Sequence, residues 1–134
     1  MSPRKRILAA DDDATALNAL RQTLVQRGYE VVAVPSGDDA IMQAAEEDFD
    51  LFILDINMPG LSGLEVCQKL RESDKTRDKP VIFLTARGTV SDMVKGKQAG
   101  SDLYLVKPVL ANRLLSMVGM FLSTEVPLAK KRRE

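Results

Sequence analysis

The chain has 134 residues, enough for one domain with a hydrophobic core and too few for two domains of ordinary size. Its 19 basic and 19 acidic residues balance and 45% of its residues are hydrophobic, which disfavours both a disordered chain and bulk attraction to nucleic acid. Histidine is absent, which excludes Ser-His-Asp and Cys-His catalysis, histidine zinc sites and an internal phosphohistidine.

Cysteine usage and the lack of long apolar runs predict a cytoplasmic protein. Cys67 is the single cysteine and has no partner for an internal disulfide, which suits a reducing compartment. No apolar run approaches the roughly 18 residues of a membrane span, and no secretory apolar segment lies near Met1. We therefore expect no membrane partner.

Short apolar runs alternate with amphipathic segments along the chain. Five runs predict strands, at residues 6–10, 30–34, 51–54, 80–85 and 103–106. After the first run, Leu17, Leu20 and Leu24 recur at helical spacing, and Gly28 follows as a C-terminal cap. This alternation predicts an α/β fold with one doubly wound, five-stranded parallel sheet.

The second and third helices have recognisable beginnings. Ser36 is a typical N-cap for the second, and the pair Ser62 and Glu65 forms a capping-box pattern at the start of the third. Cys67 lies on the third helix, where it is most simply a small buried side chain. A redox role has no second thiol or histidine to support it.

The last two helices differ in strength. Gly96 weakens the helix at 91–99 by about 1 kcal/mol relative to alanine. The helix at 109–122 carries one apolar stripe suited to the core, formed by Leu110, Leu114, Met117, Val118 and Phe121. Three other apolar residues widen this stripe or fall outside it: Leu115, Leu122 and Met120.

The strand at 51–54 ends in a carboxylate and a loop. Asp55 follows Leu54 directly, and Pro59 and Gly60 mark the loop. Open α/β sheets bind ligands at the carboxyl ends of their strands, so Asp55 is a candidate site residue. Taken alone, Asp55 could equally cap the turn that follows.

Polar residues after the other strands should meet Asp55 at the same edge of the sheet. Asp11 and Asp12 follow the first strand, Thr85 ends the fourth, and Lys107 follows the fifth. Three carboxylates repel one another unless a cation lies among them, and Mg²⁺ prefers such oxygen ligands. With the charge of Lys107 and the hydroxyl of Thr85, the set predicts a site for an incoming phosphoryl group, with Asp55 as nucleophile.

Each of these residues also has a simpler explanation. The acidic run 11–13 could complement the dipole of the first helix, Thr85 could be a strand-end hydroxyl, and Lys107 with Pro108 could form an ordinary turn. The simpler explanations would have to hold together, whereas a phosphoryl site accounts for all of the residues at once.

Four segments together resemble the receiver domain of two-component response regulators, from about residue 4 to residue 122. They are residues 7–13, 55–63, 84–86 and 99–108. The resemblance, which includes single-domain chemotaxis-type receivers, implies a flavodoxin-like fold with five helices and the strand order 2-1-3-4-5. It also implies a cis peptide bond between Lys107 and Pro108.

The resemblance implies a phosphoacceptor and a metal site. Asp55 would accept a phosphoryl group from the phosphohistidine of a sensor histidine kinase or a phosphotransfer protein. Asp12, Asp55 and the backbone carbonyl of Asn57 would hold Mg²⁺, and Asp11 would contribute through water.

The resemblance also implies phosphoryl ligands and a switch. Lys107, the hydroxyl of Thr85 and the backbone amide of Ala86 would bind phosphoryl oxygens. Tyr104 would turn inward once Thr85 moves toward the phosphoryl group, although it could instead be an amphipathic ring at the edge of the core. Beyond its own phosphorylation and dephosphorylation, such a domain is no enzyme.

A downstream protein or a second copy would bind the face formed by the fourth helix, the fifth strand and the fifth helix. Leu103 stands where DNA-binding relatives that dimerise through their last two helices commonly have an acidic residue, which counts against that dimer. We assign residues 1–123 to the receiver domain and expect no direct nucleic-acid binding from it. Residues 124–134, which include the basic run 130–133, predict a solvated tail or the start of a linker.

Two other functions stay open. One is a phosphatase with an aspartate nucleophile, although haloacid-dehalogenase-type phosphatases carry a second aspartate where this chain has Asn57. The other is a pseudo-receiver used only as a docking scaffold. The intact set of polar site residues argues against a scaffold: Asp11, Asp12, Asp55, Thr85 and Lys107.

Overall fold

One parallel sheet with helices on both faces makes up the part of the chain that the computed structural model describes, residues 4–123. The strands are β1 (Arg6–Ala10), β2 (Glu30–Val34), β3 (Leu51–Leu54), β4 (Val81–Thr85) and β5 (Leu103–Val106). The helices are α1 (Ala14–Gln26), α2 (Gly37–Glu46), α3 (Gly63–Glu72), α4 (Val90–Ala99) and α5 (Ala111–Leu122). The order of strands in the sheet is β2-β1-β3-β4-β5. The predicted fold class, topology and number of helices are confirmed.

The strands are unbroken apolar runs because both faces of the sheet are covered. Along β1, Leu8 and Ala10 pack in the cluster under α2 and α3, while Ile7 and Ala9 pack in the cluster with α1 and α5. Burial of a large side chain such as Leu8 or Ile7 contributes about 1.5–3 kcal/mol to folding. A one-residue slip of a strand would exchange its two faces, so the two cores hold the register that aligns the strand ends.

Local capping places the helices where the sequence predicts them. Ser36 Oγ accepts a hydrogen bond from the amide of Asp39 at the start of α2. Ser62 and Glu65 form the predicted reciprocal capping box at the start of α3. Gly28 follows α1 with a left-handed backbone (φ 102°), the conformation for which glycine is suited.

Two element boundaries differ by one residue from the prediction. β4 begins at Val81, after Pro80, which has no amide to give to a ladder. α4 begins at Val90 because Thr89 is its N-cap and forms a capping box with Asp92.

The predicted apolar stripe of α5 is wrong at one end. The helix begins at Ala111, and Leu110 is an N-cap residue with an extended backbone and a 75% exposed side chain. Within the stripe, Leu114 and Val118 are buried. The remaining apolar residues divide between partial burial (Leu115, Met117, Phe121 and Leu122) and exposure (Met120).

The Lys107–Pro108 peptide bond is cis, as predicted. Within residues 4–123 no helix has the length and apolar character needed to cross a bilayer. The basic run at 130–133, with the rest of the predicted tail at 124–134, lies outside the described residues.

Candidate functional site

Parallel strand ends bring the predicted polar residues to one edge of the sheet. The amide of Asp55 donates to the carbonyl of Ala10 (3.0 Å), which aligns the ends of β3 and β1. The amide of Lys107 donates to the carbonyl of Thr85 (2.8 Å), which aligns the ends of β5 and β4. Asp11, next to Ala10, is therefore a neighbour of Asp55 although 44 positions separate them in the chain.

One lysine joins the two buried carboxylates of this edge. Lys107 Nζ donates to Asp11 Oδ2 (2.6 Å) and to Asp55 Oδ2 (3.0 Å). Burial lowers the pKa of the Lys107 ammonium, but its hydrogen bonds to Asp11 and Asp55 outweigh burial, and the pKa is raised above its ordinary value. The lysine therefore stays charged and offsets the repulsion between the carboxylates.

Backbone amides hold the remaining oxygens of this pair. The amide of Asn57 donates to Asp55 Oδ1 (3.1 Å), and the amide of Asp13 donates to Asp11 Oδ1 (2.9 Å). Both carboxylates are thus oriented by donors on two sides. Such an arrangement fixes the direction from which Asp55 can be approached.

The predicted metal ligands are only partly assembled. Asp12 and Asn57 are exposed at the rim of the site, and within residues 4–123 Asp12 makes no hydrogen bond or ion pair. In the same part of the chain no three Asp, Glu or Cys residues are gathered closely enough to hold a metal ion. The pair Asp11 and Asp55 still fits Mg²⁺ chemically, because Mg²⁺ commonly takes one or two carboxylates and keeps several waters.

Thr85 and Ala86, the predicted hydrogen-bond donors to phosphoryl oxygens, are adjacent at the end of β4. Thr85 is fully buried, and its Oγ1 accepts a hydrogen bond from the amide of Arg87 (3.3 Å). Ala86 is exposed, so its small side chain leaves the opening of the site clear. Within the described residues no hydrogen bond joins Thr85 to Asp55.

Tyr104 lies between the core and the loop that precedes α4. Its ring packs against Phe83 with centroids 5.9 Å apart, and its hydroxyl donates to the carbonyl of Arg87 (2.6 Å). Burial raises the pKa of the Tyr104 phenol, and the charge of Asp92 adds to the rise. The ring occupies the core edge, as the simpler explanation expected, and it also touches the loop through which a switch would act.

Arg87 is a site residue that the sequence reasoning missed. Its Nη1 donates to Asn57 Oδ1 (3.1 Å) and its Nε pairs with Asp92 Oδ1 (3.2 Å). Hydrogen bonds from Thr89, followed by the charge of Arg87, hold the pKa of the Asp92 carboxyl below its usual value. The spacing of Thr89 and Asp92 is that of a capping box and could have located the start of α4, but it carries no signal for the pairing of Asp92 with Arg87.

The predicted output face carries exposed apolar side chains and a cleft. Val90 and Val94 on α4 are exposed by 77% and 48%, and Met120 on α5 is exposed as well. A cleft of about 280 Å³ lies between α4 and β5, lined by Met93, Lys97, Ser101, Asp102, Leu103 and Tyr104. The loop before α4 contains Arg87, whose carbonyl accepts the hydrogen bond from Tyr104.

Comparison with known proteins gives a consistent result. Residues 7–119 match the response regulator receiver domain. The chain is 42% identical over 103 residues to the transcriptional regulatory protein ResD of Bacillus subtilis (strain 168), covering 77% of this chain and 42% of ResD. It is 41% identical over 122 residues to the response regulator MprA of Mycobacterium leprae (strain TN), covering 91% of this chain and 53% of MprA. The chain thus spans about half the length of these relatives.

A solved structure agrees with these sequence relatives. The crystal structure of a CheY-like response regulator receiver domain protein from Methanospirillum hungatei JF-1 superposes with a TM-score of 0.85. The two chains are 30% identical, and the match covers 90% of this chain and 95% of the other.

Proposed function

The chain belongs to the response regulator receiver domain family, and on that basis we propose that it is a phosphorylation-dependent signalling switch with Asp55 as the phosphoacceptor. The observation that carries the proposal is the ammonium of Lys107 held between the carboxylates of Asp11 and Asp55. Receiver domains work with histidine kinases, so the phosphoryl donor is the phosphohistidine of a sensor kinase or of a phosphotransfer protein. Cys67 is the single cysteine of the chain, and its buried thiol accords with a cytoplasmic setting.

Phosphoryl transfer needs little more than a positioned nucleophile and positive charge. A carboxylate oxygen of Asp55 attacks phosphorus, the new O–P bond forms as the N–P bond of the phosphohistidine breaks, and the imidazole nitrogen leaves. Lys107 Nζ lies 3.0 Å from Asp55 Oδ2 and passes to a phosphoryl oxygen while it keeps Asp11. The hydroxyl of Thr85 and the amide of Ala86 then bind further phosphoryl oxygens.

Mg²⁺ completes the proposed charge balance. Asp55, Asp12 and the carbonyl of Asn57 would hold the ion, with Asp11 acting through water. When bound, it supplies positive charge to the group being transferred. The exposed position of Asp12 lets its side chain turn toward the ion without breaking another contact.

The output of the switch is the face of α4, β5 and α5. Phosphorylation draws Thr85 toward the phosphoryl group, and Tyr104 leaves its hydrogen bond with the carbonyl of Arg87 to turn inward. Because that bond fastens the loop before α4, its loss changes the face on which a downstream protein or a second copy binds. We place the switch in residues 1–123 and assign no nucleic-acid contact to it.

Two other functions fit the site less well. A phosphatase of the haloacid-dehalogenase type needs a second carboxylate at position 57, where Asn57 instead binds Arg87 through its side-chain oxygen. A docking scaffold has no need of a lysine shared by two buried carboxylates. Absence of turnover with a generic phosphatase substrate counts against the enzyme, and uptake of a phosphoryl group counts against the scaffold.

Mass spectrometry after incubation with acetyl phosphate and Mg²⁺ tests the proposal. The parent should gain one phosphoryl mass, and Asp55→Asn should gain none while it keeps its fold, because the change is nearly isosteric. Asp74→Asn is a matched control, since Asp74 is exposed and pairs only with Arg77 among residues 4–123. An aspartyl phosphate on the Asp55→Asn variant would contradict the assignment.

A further inference from the structure

Arg87 links four parts of the site, yet the proposed transfer step does not use its side chain. Its amide donates to Thr85 Oγ1 (3.3 Å), and its carbonyl accepts from the hydroxyl of Tyr104 (2.6 Å). Its guanidinium reaches Asn57 Oδ1 (3.1 Å) and Asp92 Oδ1 (3.2 Å). One side chain therefore spans from the loop after β3 to the first turn of α4.

Asn57 connects the guanidinium to the carboxylate that would carry the phosphoryl group. Asn57 donates its backbone amide to Asp55 Oδ1 (3.1 Å) and accepts from Arg87 through its side chain. Asn57 thus contacts both the Asp55 carboxylate and the Arg87 guanidinium. A group added to Asp55 at the open side of the site would come within reach of that charge.

The present partners of Arg87 hold it weakly. Its side chain is 44% exposed, and ion pairs in contact with solvent contribute little. Asn57 offers a neutral amide oxygen, and Asp92 already gives its other oxygen, Oδ2, to the hydroxyl of Thr89 (2.8 Å). A phosphoryl group brings further negative charge and several oxygens, which match the planar fork of a guanidinium better than either partner does.

We infer that Arg87 is a positioning residue that exchanges Asn57 and Asp92 for a phosphoryl oxygen on Asp55 and so releases the first turn of α4. The inference rests on the proposed function and deepens it. The exchange connects Asp55 to α4 through the side chains of Arg87 and Asp92, whereas Thr85 and Tyr104 contact the backbone of Arg87. Asp92 and the phosphoryl group compete for one guanidinium.

Competition predicts opposite effects for removal of the two partners. Arg87→Met removes the guanidinium but keeps a long side chain. It should weaken the binding of beryllofluoride, a phosphoryl mimic, about tenfold, because one charge-assisted hydrogen bond is lost. Arg87→Lys should recover only part of this loss, because an ammonium has no fork. Asp92→Asn keeps an oxygen for the capping box and removes the charge that competes for Arg87. It should therefore strengthen binding about threefold.

Calorimetric titration of the described variants with beryllofluoride and Mg²⁺ measures these effects. Arg77→Met is the matched control, because Arg77 pairs with Asp74 on the surface, and it should bind like the parent. Hydrogen exchange at residues 89–95 gives a second readout. In the parent, beryllofluoride should lower protection there, whereas Arg87→Met should show the lowered protection before any addition.

The outcomes separate this inference from the proposed function. Weaker binding by Arg87→Met together with tighter binding by Asp92→Asn supports the exchange. If both variants bind more weakly, or both bind like the parent, Arg87 has only a structural role and the inference fails while the switch stands. If the parent itself takes up neither beryllofluoride nor a phosphoryl group, the proposed function fails and the exchange fails with it.

Discussion

Lys107 shows how single residues at a distance in sequence make one site. The sequence predicts that Asp11, Asp55 and Lys107 share an edge, because each follows a parallel strand. It does not reveal that the ammonium lies between the two carboxylates, since the directions of the carboxylates depend on loop contacts such as the amides of Asn57 and Asp13. Asp12, one residue from Asp11, is exposed.

The exposure of Asp12 makes it a clean probe of the metal site. Asp12→Ala should leave the free energy of unfolding within about 0.5 kcal/mol of the parent, because no contact is lost. Mg²⁺ affinity and Mg²⁺-dependent phosphorylation should fall together, since one ligand is gone. Calorimetric titration with Mg²⁺ measures the affinity, and phosphoryl uptake at a series of Mg²⁺ concentrations measures the phosphorylation. A Mg²⁺ titration equal to that of the parent would place the metal elsewhere.

Tyr104 should titrate above the ordinary tyrosine range because burial and the charge of Asp92 disfavour its phenolate. Tyr29→Phe leaves Tyr104 as the only tyrosine, so tyrosinate absorbance reports on it alone. The folded variant should ionise at higher pH than the same variant in urea. The pKa of Tyr104 is higher in the folded than in the unfolded protein. Its contribution to the free energy of unfolding is therefore fully present below about pH 10, and it is lost as the pH rises through the pKa of the folded state. Equal midpoints in the two states would contradict this.

At the scale of elements, Gly96 in α4 has a packing role that helix propensity alone does not predict. Gly96 weakens the helix by propensity, but it also makes room: a Cβ there would lie 2.7 Å from Cδ2 of the Tyr104 ring and 3.2 Å from Phe83. The Tyr104 ring therefore packs in the space that the missing side chain of Gly96 leaves. Helical periodicity cannot reveal this, because the contact is with a strand that follows later in the chain.

Two glycine-to-alanine changes separate helix propensity from packing. Within residues 4–123 a Cβ at Gly119 in α5 meets no atom within 4 Å, so Gly119→Ala should stabilise the protein by up to about 1 kcal/mol. Gly96→Ala should instead destabilise it by about 1–3 kcal/mol, because the Tyr104 ring must move. Urea unfolding measures both changes. In a Tyr104→Ala background the cost of Gly96→Ala should shrink, and an unchanged cost would assign the effect to the helix itself.

Element boundaries were predictable where the determining contacts are local. Ser36 and Ser62 cap helices through bonds to residues three positions away, so the sequence places those starts well. Leu110 is different, because α5 begins beside it without any side-chain cap, and an apolar residue in helical register then lies outside the helix. Arg87 and Asp92 pair across a turn whose path only the fold determines.

At the scale of the whole molecule, the two faces of one sheet explain why topology was the safest prediction. Strand runs, helix spacing and connection lengths all favour the doubly wound sheet, so a local error such as Leu110 leaves the architecture unchanged. How the output face changes on phosphorylation depends on contacts between several elements, and no short stretch of sequence predicts it.

Beryllofluoride with Mg²⁺ should change hydrogen exchange across residues 87–122 of the whole domain. The apolar side chains Val90 and Val94 on α4 are exposed, so a change in α4 alters the surface that a partner contacts. Asp55→Asn under the same conditions is the control and should show no change. Unchanged protection across this range in the parent would remove the face as the output surface.

The two ends of α4 are fastened very differently. At its C-terminal end the carbonyl of its last residue, Ala99, accepts from Cys67 Sγ (3.3 Å), and that of the next residue, Gly100, accepts from Arg71 Nε (2.9 Å). Both donors lie on α3. The N-terminal end has its own capping box of Thr89 and Asp92, and its contacts to other elements come through Arg87 and the hydroxyl of Tyr104. Ten residues of helix are about 15 Å long. We expect α4 to behave as a lever with its pivot beside α3, so that a partner seated near Val90 meets a larger displacement than one near the pivot.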